Sequence, residues 1–109
     1  MLIVNDKDEY ANIIFTSKLP ILVDFYADWC GPCKQLTPIL ETLEKKYENN
    51  ISFLKINVDN EDCNEICSLY KIQSMPTVLF IKNKVEKDEL RVTGLNEELI
   101  TSNIENLIK

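Results

Sequence analysis

The 109-residue chain contains no histidine and only two glycines, and both scarcities limit what the protein can be. Without histidine, a metal site would have to rely on cysteine thiolates and carboxylates. With so few glycines, the chain has no Gly-rich phosphate-binding motif, so we do not expect it to bind a nucleotide cofactor itself. It also lacks any apolar run approaching the about 18 residues that span a membrane.

Basic residues are the minority, with 12 Lys and Arg against 18 Asp and Glu, giving a formal charge of −6. That balance disfavours nucleic acid and anionic membrane surfaces as partners, because both attract a basic face. The N-terminal MLIVNDKDEY has no basic segment followed by a long apolar run, so no signal peptide is visible and we expect a cytoplasmic location. In that reducing compartment, cysteines are more often redox-active, metal-bound or free than structural.

The length suits one domain covering residues 1–109, and the hydrophobic pattern predicts strands alternating with helices. Asn5 and Asn96 are the expected N-caps of the first and last helices. The other predicted helices cover 31–48 and about 61–70, and the predicted strands are 2–4, 21–27, 51–58, 78–81 and a weaker edge strand at 89–92. This order indicates an α/β fold, with a central mixed sheet of about five strands flanked by four helices.

The segment DWCGPCKQ, residues 28–35, places Cys30 and Cys33 three residues apart. Spacing alone allows a metal site, a structural disulfide or a redox pair. A metal needs further ligands, and the remaining thiols, Cys63 and Cys67, are not spaced like a zinc knuckle. A cross-link across so short a loop gains only roughly 2 kcal/mol. Because the pair opens a predicted helix, backbone N–H groups should favour the Cys30 thiolate, which is the nucleophilic form.

Asp24 lies in the middle of the apolar run ILVDFYA, residues 21–27. If it is buried without a partner, its pKa should rise, and the residue could then exchange protons with the cysteine pair near neutral pH. The alternatives are an exposed carboxylate on a half-buried strand or a carboxylate paired with a lysine.

Together these motifs make the chain resemble the thioredoxin family over essentially its whole length. The matching segments are VDFYADWCGPCK at 23–34, KINVDN at 55–60, MPT at 75–77 and the glycine of VTGL at 92–95. The resemblance implies the thioredoxin fold and protein-disulfide reductase activity by dithiol–disulfide exchange, which maintains cell redox homeostasis. It also implies a redox-active Cys30–Cys33 disulfide as the working group, with no bound cofactor or metal.

The resemblance further implies a role for each matching residue. Cys30 would be the nucleophile, Cys33 the resolving thiol, Asp24 the proton acceptor and donor, and Lys55 the residue that tunes Asp24. Pro76 would be a cis proline that faces the sulfurs. The substrate surface would comprise Trp29, Gly31, Pro32, Met75, Pro76, Thr77 and Gly94. From the residues alone, Lys55 could equally be a solvated strand lysine and Trp29 a core tryptophan.

The implied partners are disulfide-containing target proteins, namely reductases and peroxidases that need a dithiol donor, and a thioredoxin reductase, a flavoprotein that supplies electrons from NADPH. The chain itself is expected to be a monomeric electron carrier. The Gly31-Pro32 pair between the cysteines indicates a reductant rather than an oxidant or isomerase.

Two features depart from the family pattern. Asn83-Lys84 stands where Asn-Gly is common, which predicts a longer, more charged last hairpin, and Cys63 and Cys67 are additional thiols, expected to be small core residues or sites of secondary oxidation.

Overall fold

The computed structural model describes all 109 residues and contains one mixed sheet with helices on both faces. The elements are β1 (Leu2–Ile3), α1 (Lys7–Thr16), β2 (Ile21–Tyr26), α2 (Gly31–Tyr47), β3 (Ser52–Asn57), α3 (Asn64–Leu69), β4 (Thr77–Lys82), β5 (Val85–Glu86), β6 (Val92–Thr93) and α4 (Glu97–Leu107). The expected mixed sheet with four helices is therefore confirmed. None of the helices has the length and apolar character needed to cross a membrane.

The sheet has the order β1-β3-β2-β4-β5, and β6 also pairs with β4. β2 is parallel to β3 and antiparallel to β4, so it lies between two hydrogen-bonded neighbours. In this register Asp24 is the partner of Lys55 on one side and of Val78 on the other. The carboxylate thus lies on a buried strand that has a paired neighbour on each side.

Alternation along β2 divides the core between the two faces of the sheet. Leu22 belongs to the cluster that packs beneath α2 and α4, with Leu36, Leu40, Phe80 and Ile104. Val23 and Phe25 belong to the opposite cluster, beneath α1 and α3. By the same alternation, Asp24 lies on the face that α2 covers, and α2 is the helix that begins beside the cysteines.

One of the two predicted helix caps was wrong. Asp6, not Asn5, caps α1, because its Oδ1 accepts the Glu9 N–H at 2.8 Å, while Asn5 lies one residue earlier. The expected cap of α4 is confirmed, since Asn96 Oδ1 accepts the Leu99 N–H at 3.1 Å. Both caps satisfy backbone donors that have no partner within the helix.

The expected edge strand at 89–92 was also wrong. A 3₁₀ turn, Asp88–Leu90, separates two short strands, β5 and β6, and both pair with β4. The β4–β5 hairpin is tight rather than long, because Asn83 and Lys84 form a two-residue loop with φ of 54° and 68°. Positive φ at both positions matches the twist of the flanking strands.

Candidate active site

Cys30 and Cys33 lie at the N-terminus of α2 and form a disulfide, with their Cα atoms 5.3 Å apart. Cys30 is the N-cap residue, and its Sγ accepts the Cys33 N–H at 3.2 Å. Pro32 stands in the first turn, where its missing N–H leaves no helical hydrogen bond unmade. The sequence prediction that this pair opens a helix is therefore confirmed.

The helix terminus provides a positive electrostatic environment for Cys30. The first turn of α2 contains no acidic side chain, so no carboxylate opposes the positive end of the helix dipole. A sulfur that already accepts a backbone N–H is also well placed to hold negative charge. Once the disulfide is reduced, both features stabilise a Cys30 thiolate relative to the thiol.

The loop before β4 lies against the same two sulfurs. The Met75–Pro76 peptide bond is cis, and the Met75 carbonyl oxygen lies 3.6 Å from Cys30 Sγ. Met75 packs on the small cluster of Ala27, Cys30 and Cys33. Thr77 is buried, and its hydroxyl donates to the Ser74 carbonyl at 2.6 Å. These contacts hold the Met75–Thr77 segment next to the cysteine pair.

Gly94 connects the end of β6 to this loop. Its N–H donates to the Pro76 carbonyl at 2.8 Å, and its φ of 89° is one that residues with a Cβ rarely adopt. A Cβ built on Gly94 would meet nothing within 4 Å, so the space above it is open. Gly31, at the start of α2, is open in the same way.

Trp29 is largely exposed, with 68% of its surface accessible, so it is not a core tryptophan. Its indole Nε1 donates to Asp59 Oδ2 at 2.9 Å, which holds the ring beside the cysteine pair. Asp59 belongs to the segment KINVDN, but the sequence predicts no role for it. Local spacing gives no sign of this contact, because the two residues are 30 positions apart.

Asp24 is buried, with 1% of its surface accessible, and neither carboxylate oxygen has a hydrogen-bond partner. The alternative of an exposed carboxylate is therefore excluded. Burial raises the pKa of Asp24 and the positive charge of Lys55 lowers it, and the net result is a rise from 3.8 to about 7. Asp24 is thus a carboxyl group that can gain or lose a proton near neutral pH.

Lys55 is the register partner of Asp24 in the sheet and makes a contact that the sequence did not reveal. Its Nζ lies 4.5 Å from the centroid of the Tyr26 ring. Tyr26 and Lys55 line a cavity of about 340 Å³ that extends to Cys33 and is also bordered by Lys34 and Thr37. The structure therefore gathers the resolving-thiol candidate, the lysine and an aromatic ring around one opening.

The two additional cysteines lie away from this site. Cys63 is fully buried in the cluster on the opposite face of the sheet, and its Sγ lies 3.6 Å from the Val4 carbonyl. Cys67 is partly exposed, and burial raises the pKa of both thiols. No group of three or more histidine, cysteine or acidic side chains is placed to hold a metal ion.

A disulfide at a helix N-terminus, a cis-proline loop against its sulfurs and a buried carboxyl group on the strand that precedes the pair define a thiol–disulfide oxidoreductase. Comparison with known families gives the more specific assignment. The thioredoxin family model matches residues 1–106, so the chain belongs to the thioredoxin family. Its members are protein-disulfide reductases, and the chain has the corresponding cysteine pair and activity class.

Individual relatives agree with this assignment. The chain is 46% identical to a thioredoxin of Borreliella burgdorferi over 95 residues, which is 87% of this chain and 75% of that protein. A thioredoxin of Rickettsia bellii is 46% identical over 85 residues, or 78% of each protein. The chloroplastic M-type thioredoxin of Spinacia oleracea is 36% identical, covering 96% of this chain but 56% of its own length.

Solved structures show the same fold. Thioredoxin from Plasmodium falciparum superposes with a TM-score of 0.87 at 34% identity, covering 97% of this chain and 98% of its own. Thioredoxin from Fasciola hepatica gives a TM-score of 0.88 at 33% identity, with both chains covered completely. The predicted family and fold are confirmed by these comparisons.

Proposed function

We propose that this reductase acts on cytoplasmic target proteins, with Cys30 as the nucleophile and Cys33 as the resolving thiol. The observation that supports this division of labour is the position of Cys30. It caps α2, accepts a backbone N–H at its sulfur and borders the exposed rim at Trp29 and Met75. Cys33 lies one turn into the helix, and because both cysteines are buried, at 5% and 3% exposure, their positions in α2 rather than their exposure distinguish them.

The reaction begins with the reduced pair. The Cys30 thiolate attacks one sulfur of a target disulfide, so that a Cys30–target bond forms and the target's own S–S bond breaks, releasing a target thiolate. Cys33 then gives up its proton and attacks the Cys30 sulfur, which releases the second target thiolate and closes the Cys30–Cys33 disulfide. Two electrons pass from the chain to the target, and the released thiolates take up protons.

Asp24 receives the proton that Cys33 gives up. With a pKa of about 7, a substantial fraction of the carboxyl group is ionised at neutral pH and can act as the base. Lys55 tunes Asp24, because its positive charge favours the ionised form. The cavity that Cys33 and Lys55 border is wide enough to admit water.

The target binds in extended form across the cis-proline loop. The Met75 backbone pairs with it in the manner of an added strand, and Thr77 borders the same surface. Pro76 holds the loop against the sulfurs, while Gly94 and Gly31 leave room for the target backbone. Trp29 and Pro32 form an apolar rim next to Cys30.

The oxidised pair is regenerated by a separate thioredoxin reductase, a flavoprotein that takes electrons from NADPH. The chain acts between that enzyme and its targets as a monomeric electron carrier in the cytoplasm. The family match over residues 1–106 supports a single thioredoxin domain over 1–109.

A redox titration against glutathione tests the direction of electron flow. A dithiol reductant should have a midpoint potential more negative than about −200 mV, whereas an oxidant or isomerase lies above that value. We expect the more negative result. A midpoint well above about −200 mV would show that the chain accepts electrons from target thiols and would overturn the proposal.

A further inference from the structure

The contact between Lys55 and Tyr26, beside the active site, takes no part in the bond exchanges of the reaction. The Lys55 ammonium lies 4.5 Å from the centroid of the Tyr26 ring, within the range of a cation–π interaction. Tyr26 is partly exposed at the end of β2, and its hydroxyl has no hydrogen-bond partner in the protein. The ring therefore contacts the lysine through its face, without an anchoring hydrogen bond of its own.

The sheet register explains why this contact matters for Asp24. Asp24 and Tyr26 are two residues apart on β2, so their side chains lie on the same face. Lys55 is the register partner of Asp24 on the parallel strand β3, one diagonal step from Tyr26. A long lysine side chain at this position can turn toward solvent, but the Tyr26 ring occupies that side and holds the ammonium over its face.

We propose that Tyr26 is a positioning residue for the reductase reaction: its ring holds the Lys55 ammonium next to Asp24, so that Lys55 can stabilise the Asp24 carboxylate. The proposal rests on the proposed role of Asp24 as the proton acceptor for Cys33. It adds that the strength of this base depends on the Tyr26 ring, which packs against the cluster of Ala27, Cys30 and Cys33.

The other charged groups around Asp24 do not replace Lys55. Asp28 and Lys34 border the same cavity as Cys33, and Val78, the neighbour on β4, is apolar. Lys55 is the charged group whose field lowers the pKa of Asp24. Displacing the Lys55 ammonium should therefore change the titration of Asp24 in a defined direction.

Two possible roles of Tyr26 predict opposite results. If the ring only shields Asp24 from water, its removal should hydrate the carboxylate and lower the pH at which Asp24 titrates. If the ring holds Lys55 in place, its removal should raise that pH. Lengthening the distance between the Lys55 ammonium and the Asp24 carboxylate from about 5 to about 6.5 Å, at an effective dielectric constant of about 20, corresponds to about half a pH unit.

The experiment follows the Asp24 carboxyl group by carbon-13 NMR over a pH titration, in protein labelled at aspartate. The oxidised form is used, because its disulfide prevents Cys30 and Cys33 from titrating in the same range. We expect Tyr26→Leu to raise the Asp24 midpoint by about half a pH unit. Tyr26→Phe keeps the aromatic face and should leave the midpoint unchanged.

Repeating the titration in protein that lacks Lys55 shows whether the shift of the Asp24 midpoint depends on that lysine. In a Lys55→Met variant, Tyr26→Leu should no longer raise the midpoint, because there is no ammonium left to move. The proposal is overturned if Tyr26→Leu leaves the midpoint unchanged or lowers it, if Tyr26→Phe raises it equally, or if the rise persists without Lys55. Turnover of a protein disulfide by the wild-type chain is measured separately, so a failure of the proposed function would be seen there and not in the titration.

Discussion

Asp24 and Lys55 are register partners on the parallel strands β2 and β3, yet neither oxygen of Asp24 accepts a hydrogen bond. The lysine lowers the pKa of the carboxyl group less than burial raises it, so the net result is a pKa of about 7. A charged carboxylate at this position therefore destabilises the folded chain. The same feature that makes Asp24 suitable for proton transfer has a cost in stability.

The first prediction concerns the pH dependence of that cost. The folded-state pKa of Asp24, about 7, lies above the value of 3.8 for an unperturbed group. Between these values the folded state binds the extra proton, so the free energy of unfolding falls as pH rises from about 4 to about 7. Asp24→Asn removes the titration and should stabilise the chain above pH 7, by up to about 4 kcal/mol.

Urea unfolding at several pH values measures this effect. The gain from Asp24→Asn should be largest near pH 8 and should disappear near pH 4, where the wild-type carboxyl group is neutral. Asp8→Asn is the matched control, because Asp8 is exposed and should change stability little at either pH. A gain that is independent of pH would show that the charge of Asp24 is not its cause.

The second prediction compares two cysteines within the same molecule. In the reduced protein, the alkylation rate of Cys30 should rise with a pH midpoint below about 8.5, the value for a free thiol, because the start of α2 favours its thiolate. Cys67 should react only at higher pH, since burial raises the pKa of its thiol. Mass spectrometry after short alkylation pulses resolves the two sites, and a Cys30 midpoint at or above that of Cys67 would contradict helix-terminus activation.

The third prediction uses the only two glycines as a matched pair. Gly94 has a φ of 89°, and a Cβ at either glycine would meet nothing within 4 Å. The cost of Gly94→Ala is therefore one of backbone conformation, about 1–2 kcal/mol. Gly31→Ala, at the start of α2, should cost little, because alanine suits a helix.

Thermal unfolding of the two variants tests this difference, and equal losses of stability would contradict the backbone explanation. Gly94→Ala should also slow the reduction of a protein disulfide, since the new methyl group enters the space left for the target. Gly31→Ala serves as the stability control only, because it too borders the cysteines.

The fourth prediction concerns Trp29 and Asp59. The indole N–H of Trp29 donates to Asp59 at 2.9 Å on an exposed surface. Trp29→Phe and Asp59→Leu each remove this hydrogen bond, so their effects on the KM for a protein disulfide should not add. A double-mutant cycle should give a coupling of about 0.5–1.5 kcal/mol. Additive effects would mean that Asp59 does not hold the ring in its working position.

Much of the site could be predicted because its residues lie in short, specific segments. The cysteine pair, the cis proline and Gly94 each belong to a segment that can be read locally, and Asp24 stands out as the one charge in an apolar run. Tyr26 and Asp59 were missed for a physical reason. Their contacts, with Lys55 and Trp29, join residues about 30 positions apart and depend on side-chain direction across the sheet.

The incorrect details of the fold have equally local causes. Asn5 and Asp6 are both good capping residues, and only the direction of the entering chain decides between them. The last hairpin was expected to be long because Asn83-Lys84 lacks the glycine common in such turns. Both residues nevertheless adopt positive φ, since the paired strands β4 and β5 require it.

The fifth prediction traps the intermediate. Without the resolving thiol, the bond between Cys30 and a target should persist, so Cys33→Ser should accumulate a mixed disulfide that added dithiothreitol releases. Cys67→Ser is the control and should turn over normally, because Cys67 lies in the cluster beneath α1 and α3. Accumulation of a Cys67-linked product instead would place the reactive thiol outside the proposed site.

The most direct test is a single turnover of the pre-reduced chain with an excess of a protein disulfide, in the absence of any other thiol. Each molecule of wild-type chain should release two target thiols and end with the Cys30–Cys33 bond, while Cys30→Ser should release none. Target reduction that survives Cys30→Ser would contradict the central claim that Cys30 is the nucleophile.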